Sequence, residues 1–418
     1  MTRQTIPRWR IQPTWRGFGI LIAGLTMLVT GIGFASRLLT YAGITVTTVF
    51  VAATVWVILV GVITPQRRTQ VERSTEPTTF TAGKPGTVSV AITPRGRTIA
   101  ARMAIRIINV TEQATPEVTG HGNHRAVVER TDHATTLTYA VTPTTRGQWQ
   151  LGPTVSHSTD PWGLITADAP LAGTNTVIVH PHTEDLSATI APLEGSLSHR
   201  SRGAHTQGSD DAALREYRVG DDLRRVHWSS SARRGAVLVR TDETGEPTPA
   251  TVIFHLPHQQ AGIEWTISAF ASVVCALLNS GHSARVMGGP WDPHRPAFQP
   301  RRDDVLALLD ATVTLAPSST DVLPTLQRCV DSANSTGDSV VPTVLVLCDP
   351  SADVARTCAG LTERGHVWAL VAFTAPHASA SRDALRILEK SGATIRTTTL
   401  DETLGEAWSD LMSERSAA

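Results

Sequence analysis

The sequence predicts a multi-domain protein: an N-terminal transmembrane helical hairpin, a β-sandwich-like middle domain and a C-terminal α/β doubly wound domain. Three observations carry this expectation. Two uncharged apolar runs, Phe18 to Ala35 and Ile44 to Ile63, stand near the N-terminus. Short β-branched runs separated by Gly and Pro turns follow them. From Pro249 onward, apolar strand-like runs alternate with helical ones. A chain of 418 residues is too long for one ordinary domain. The expected division is 1–68 for the hairpin, 69–185 for the β-domain, 186–248 for a linker and charged motif, and 249–418 for the α/β domain.

The hairpin is read from length and charge. A spanning helix needs about 20 apolar residues to cross about 30 Å of hydrocarbon, and both runs meet that requirement. The connection, about Ser36 to Gly43, is short. Arg3, Arg8, Arg10 and Arg16 precede the first run, and Arg67, Arg68 and Arg73 follow the second, whereas the connection holds only Arg37. Positive charge on the cytoplasmic side then places both ends, and everything after them, in the cytoplasm beneath the cell membrane. Trp9, Trp15, Tyr41 and Trp56 stand near the ends of the runs, where aromatic belts form. A cleaved signal peptide ending near Ala35 would have too long an apolar core, and a second apolar run follows it at once.

Composition narrows the partners. Formal net charge is zero, which argues against general nucleic-acid binding, since that needs clustered positive charge. Lysine occurs only at Lys84 and Lys390, and the arginines are spread along the chain. The four cysteines, Cys275, Cys329, Cys348 and Cys358, all lie in the α/β region. Their spacing matches no zinc motif, and free buried thiols in a reducing compartment are expected.

In the middle region TVSVAIT (Thr87 to Thr93) alternates with period two, and MAIRIINV (Met103 to Val110) does so loosely. TTLTYAVTP (Thr135 to Pro143) and TVIVHP (Thr176 to Pro181) are β-branched runs closed by proline. Several short strands at this spacing suggest a small sandwich. Two motifs read as turn and staple without chemistry. In TTRGQWQLGP, Arg146-Gly147 is a turn before an alternating strand. In STDPWGL, Asp160-Pro161 starts a turn, Trp162 is expected to pack down as an anchor, and Gly163 is suited to a positive φ.

Leu186 to Gln207 reads as linker, and the densest motif follows, from Gly208 to Glu243. Arg215-Glu216-Tyr217 leads to a turn at Gly220, where Asp221 and Asp222 are expected to cap a short helix carrying Leu223 and Val226. Trp228, Ala232, Arg233 and Arg234 come next, ahead of an expected strand from Ala236 to Asp242. Glu216, Asp221 and Asp222 opposite Arg224, Arg225 and Arg233 make either an internal ion-pair lattice or a docking face for a partner. Asp221, His227 and Ser230 also have the residue types of a nucleophilic triad, but no nucleophile elbow accompanies them.

From Ala250 to Ser413 strands and helices alternate, which means a parallel, doubly wound sheet. The stripe Ile267, Phe270, Ala271, Val274 and Leu278 reads as core, with no cofactor implied. His255 and His258 are weak as a zinc pair without a nearby third ligand.

The order of two apolar helices, a β-region with RG-x-W-x-LGP and DPWGL, then REYRVGDDLRRVHWSSSARR (Arg215 to Arg234), resembles the bacterial "domain of unknown function 58" family. The resemblance covers nearly the whole chain. It implies a von Willebrand factor A-like C-terminal domain and, as partners, a MoxR-type AAA+ ATPase and other membrane proteins such as transglutaminase-like ones. It implies no reaction. Such A-like domains often hold magnesium through an Asp-x-Ser-x-Ser sequence after the first strand. Here that position reads His255-Leu256-Pro257-His258-Gln259, and Asp349 supplies a lone carboxylate, so no metal is expected. The functional expectation is a non-enzymatic, membrane-anchored adaptor or assembly protein without cofactor or small-molecule substrate. A cryptic hydrolase at Asp221, His227 and Ser230 is the alternative, and an outward-facing adhesion protein the third. A reporter fused after Ala418 discriminates topology: cytoplasmic activity is expected, and activity outside the membrane would replace the adaptor with the adhesion reading.

Overall fold

The computed structural model describes residues 10–63, 67, 69–96, 109–119, 126–131, 133–191, 193, 214–217, 226–240, 249–257, 259–316, 322–335, 341–362, 365–374 and 379–413. The chain divides into two compact units, Met1–His182 and Thr183–Ala418.

The first unit begins with a strand that the charge pattern conceals. β1 (Arg10–Pro13) pairs antiparallel with β9 (Ile165–Ala172), Arg10 opposite Asp168 and Pro13 opposite Ile165. Four residues with no alternation give no local strand signal; the partner defines it. α1 (Trp15–Gly33) follows at once, capped by the Thr14 hydroxyl accepting from the Gly17 amide at 3.1 Å. α2 (Arg37–Trp56) continues through a π-helical turn, Val57–Ile63. The expected connection from Ser36 to Gly43 is therefore mostly helix, because helical hydrogen bonding runs on past the end of the apolar stretch. Gly24, Gly31 and Gly43 let the two backbones approach closely: a Cβ on Gly31 would lie 2.6 Å from the Thr40 amide nitrogen. Both helices are long and apolar enough to cross a membrane.

Two sheets complete this unit. One has the order β2-β4-β7-β6, formed by β2 (Thr69–Glu76), β4 (Gly86–Pro94), β7 (Thr135–Val141) and β6 (Val127–Arg130). In the other, β8 (Gly147–Thr159) is central: β9, β10 (Asn175–His180) and β5 (Asn109–Ala114) all pair with it, and β3 (Phe80–Thr81) joins β10. Met103 to Ile108 of the loosely alternating run lies outside the described residues. α3 (Pro116–Thr119) is a single turn after β5. Strand alternation places Val88, Val90, Ile92, Leu137, Tyr139, Leu151, Val177 and Val179 in one core.

A buried ion pair ties the sheets. Arg73 on β2 donates from Nε to Glu112 Oε1 on β5 at 2.6 Å, with side chains 4% and 3% exposed. Its other nitrogens reach Asn175 Oδ1 at 2.9 Å and Thr154 Oγ1 at 2.6 Å, and the Thr154 hydroxyl donates to Glu112 Oε2. Gly152 makes the space: with φ of +98°, a Cβ there would meet the Arg73 guanidinium at 2.6 Å. Gly147, two residues before Trp149, lies against that indole, whose N–H donates to the Thr145 carbonyl at 3.1 Å. The glycines of the RGQWQLGP run therefore serve packing.

The second unit is a three-layer α/β/α domain. Five parallel strands run in the order β14-β13-β15-β16-β17. They are β13 (Ala250–His255), β14 (Ala284–Gly288), β15 (Thr343–Cys348), β16 (Val367–Phe373) and β17 (Thr394–Thr399). Alternate residues face opposite cores. Val252, Phe254, Val344, Val346, Trp368 and Leu370 pack against α5 (Gln260–Asn279), α6 (Arg302–Val313) and α10 (Leu404–Ser413). Ile253, Leu345, Leu347, Ala369 and Val371 pack against α7 (Val322–Ser335), α8 (Ala352–Ala359) and α9 (Ser379–Lys390). α5 is also apolar and long enough to cross a membrane, but its Ile267, Phe270, Ala271, Val274 and Leu278 are core residues of this domain.

The expected linker begins inside this unit. Leu186, Ile190 and Leu193 are buried in its core, and the Glu184 carboxylate accepts from the Leu404 and Gly405 amides at 3.2 and 2.8 Å, capping α10. Three apolar side chains among polar ones carry too weak a periodicity to reveal this.

Removing one partner of a buried pair leaves the other charge uncompensated. Glu112→Ala is expected to lower the local stability of β4 and β8 by about 3–5 kcal/mol, read by amide hydrogen exchange, and Arg73→Met with Glu112→Leu to recover much of that loss.

Candidate functional site

Two constructions stand out, one in each unit. In the first unit the DPWGL turn is built around the carboxylate of Asp160, a residue only 4% exposed. It accepts from the amides of Trp162 at 2.9 Å, Leu164 at 2.7 Å and Ile165 at 2.6 Å. Gly163 takes φ of +69°. With three amides drawn inward, Leu164 is buried, while Trp162 turns outward and is 54% exposed. This corrects the expectation that Trp162 is the anchor: Leu164 fills that place, and Pro161 is exposed beside Trp162.

The same turn grips the base of the helical pair. Thr14 donates from its amide to the Leu164 carbonyl at 2.8 Å and from its hydroxyl to the Gly163 carbonyl at 2.7 Å. Gly17 lies so close to the Leu164 carbonyl that any side chain would collide with it. Leu164, Ile165, Ala167 and Ala169 form one cluster with Ala53, Val57 and Val62 of the second helix, and Gly61 lies against Ser158.

In the second unit the charged motif forms a small folded piece. β11 (Leu214–Glu216) pairs antiparallel with β12 (Leu238–Arg240), placing Arg215 opposite Val239 and Glu216 opposite Leu238. Tyr217 is half-buried, and its amide donates to the Val237 carbonyl at 2.8 Å. Val226 bridges to Val239, so it is extended and not on the expected helix; the bond from the adjacent His227 amide to the Leu238 carbonyl, 2.9 Å, holds it there. Gly220, Asp221, Asp222, Leu223, Arg224 and Arg225 lie outside the described residues, and so does the expected cap by Asp221 and Asp222.

The described helix is α4 (Trp228–Arg234), closed by Gly235 at φ of +67°. His227 is its N-cap: Nδ1 accepts from the Ser230 amide at 3.3 Å and lies 3.2 Å from the Ser229 hydroxyl. The Ser231 hydroxyl accepts from the Leu238 amide at 2.9 Å and donates to the His227 carbonyl at 2.9 Å. Ser230 and Ser231 are buried toward the small sheet, and Trp228, Ala232 and Arg233 are exposed, the indole at 68%. A cap acceptor at Nδ1 has the opposite tautomer to a triad histidine, whose Nδ1–H donates to a carboxylate.

A hydroxyl, imidazole and carboxylate do line up elsewhere, at residues the sequence did not single out. His157 lies 2.6 Å from Asp168 Oδ1 through Nδ1 and 2.6 Å from Thr111 Oγ1 through Nε2. Register brings them together: His157 is directly opposite Asp168, and Asn109, two residues from Thr111, is opposite His157. They stand on the outer face of a continuous sheet, where cross-strand polar pairs of this kind stabilise the ladder. Their separation in sequence hides the alignment.

The strand order of the α/β unit puts its topological switch point between β13 and β15, where such folds place ligands. Gly262 lets α5 pack closely there: a Cβ would lie 2.8 Å from both the Cys348 sulfur and Pro257. Asp349, at φ of +45°, accepts from the Thr374 amide at 3.1 Å and hydroxyl at 2.6 Å. Among the described residues no group of three or more His, Cys, Asp or Glu side chains is arranged to hold a metal ion, and His258 lies outside them.

No family model and no curated protein matches the chain. Among solved structures the chain is distantly similar to a von Willebrand factor type A protein from Catenulispora acidiphila, with 12% identity, a TM-score of 0.29, and 43% of each chain covered. The match thus spans less than half the length of that protein. The wider resemblance read from the sequence rests on its motifs.

Two residues of the DPWGL turn predict opposite behaviour on substitution. Asp160→Ala removes the acceptor of three buried amides and is expected to lower the stability of the β8–β9 hairpin by about 3 kcal/mol or more. Trp162→Ala is expected to change it by no more than about 0.5 kcal/mol. Hydrogen exchange at Leu164 and Ile165 measures both.

Proposed function

We propose that this chain is a non-enzymatic adaptor or assembly protein of the cytoplasmic membrane, and that it engages a MoxR-type AAA+ ATPase on its cytoplasmic side. The two apolar helices span the bilayer in this reading, with both ends in the cytoplasm by the distribution of arginine. The observation that carries the reading is the shape of the charged motif. Its inner side is fixed by Ser231, His227 and the strand pair. Its outer side offers Trp228 and Ala232, one turn apart on the helix, and the exposed Arg233, with Val237 also exposed. Trp and Arg are the residues that most often dominate binding energy at protein interfaces, and here local hydrogen bonds hold the helix that carries them. The resemblance of Arg215 to Arg234 to the "domain of unknown function 58" family supplies the class of partner.

The test is affinity capture of the full chain from detergent-solubilised membranes, with bound proteins identified by mass spectrometry. The wild-type chain is expected to recover a MoxR-type ATPase, and a folded Trp228→Ala/Arg233→Ala variant to lose it. Equal recovery by both would remove the docking role from this helix. Recovery by neither would overturn the adaptor reading.

A further inference from the structure

Two exposed indoles of the first unit lie at the foot of the helical pair, on two segments joined by hydrogen bonds. Trp15, the first residue of α1, is 88% exposed, and Trp162 is 54% exposed. The carbonyls of Gly163 and Leu164 accept from Thr14, the α1 N-cap. Trp162 therefore sits within about one helical turn, ~5.4 Å along the axis, of the point where the uncharged run begins at Phe18. From there the apolar surface continues along the helix through exposed Phe18, Ile22 and Leu25.

The attachment is not a flexible tether. β1 enters α1 directly and pairs with β9, and the turn after α2 lies against β8 through Gly61 and Ser158. The level of the Asp160–Leu164 turn relative to the two helices is thereby fixed. An exposed indole with no large share in a core is costly to leave in water, yet suits the layer between headgroup and acyl chain, where its ring is desolvated and its N–H still finds partners.

We infer that the Asp160–Leu164 turn is a membrane-seating surface, with Trp162 and Trp15 placed in the headgroup layer of a phospholipid bilayer so that the β-sheets are held flush against it. This rests on the membrane reading proposed above. Arg16, exposed beside Trp15, adds a positive charge at the same level for anionic headgroups. The seat would fix the orientation of the β-sheets to the membrane without any further protein.

The test measures depth and keeps the two readings apart. Full-chain variants Trp162→Cys, Leu25→Cys and Thr78→Cys are labelled with a nitrobenzoxadiazole maleimide. They are placed in vesicles of phosphatidylethanolamine and phosphatidylglycerol carrying lipid spin quenchers either at the headgroup or near the acyl-chain end. Native thiols react poorly at neutral pH: burial pushes Cys275 up to about 11 and Cys348 and Cys358 up to about 12, and Cys329 is raised too. The unsubstituted chain sets the background. Thr78 follows β2, whose eight residues carry the chain about 25 Å from its start. The expected result is loss of emission at Trp162→Cys with the headgroup quencher, a blue shift, and little loss with the deep one. Leu25→Cys should lose emission to the deep quencher, and Thr78→Cys to neither. Pro161→Cys, on the same exposed turn, repeats the measurement if the first variant folds poorly. If the turn positions behave like Thr78→Cys while Leu25→Cys is quenched, the seat is overturned and the membrane reading stands. If Leu25→Cys is not quenched either, both fall.

Discussion

The Asp160 carboxylate sets the junction between the apolar helices and the β-structure of the first unit. Three amides converge on it, and a buried carboxylate in so short a turn requires that many donors to offset its lost hydration. With those amides turned inward, the Gly163 and Leu164 carbonyls point away and become acceptors for Thr14. The start of α1, the pairing of β1 with β9 and the closeness of Gly17 to Leu164 follow from that arrangement. One side chain thus determines how two apolar helices are joined to a β-structure. It also decides that Leu164 is buried and Trp162 is not.

The Arg73–Glu112 pair plays a related part between the sheets. Its Coulombic gain must offset the desolvation of two ions, and Thr154 and Asn175 complete the hydrogen bonding that makes this possible. Such a pair tolerates only one register of β2 against β5 and β8. Because β2 follows the second apolar helix closely in sequence, this register also fixes where the sheet begins relative to the helices. The glycines around β8 belong to the same requirement, leaving room for a guanidinium and an indole.

The second unit separates scaffold from surface. Its sheet is a conventional doubly wound one, with α5 packed closely against Cys348 and Pro257 at Gly262 and Asp349 engaged by Thr374. The charged motif, by contrast, forms a separate strand pair and short helix with an exposed indole.

Much of this was legible in the sequence. Hydrophobic periodicity is a local property, so it located both apolar helices, the strands β4, β7 and β10, and the five strands of the parallel sheet. It also located the charged motif, since mixed charge at that density is visible without a fold. Other features needed the folded chain. β1 is a strand only because β9 accepts it, and Val226 is extended only because Val239 pairs with it. Leu186, Ile190 and Leu193 belong to a core only because α10 and α5 cover them. The outward turn of Trp162 and the alignment of Thr111, His157 and Asp168 depend on hydrogen bonds and strand register between segments distant in sequence. The sequence by itself determined the apolar helices and the strongly periodic strands, because burial writes its period into neighbouring residues. The tertiary structure alone decided which segments meet and which side chains face outward, because those outcomes are set by partners that no local pattern encodes.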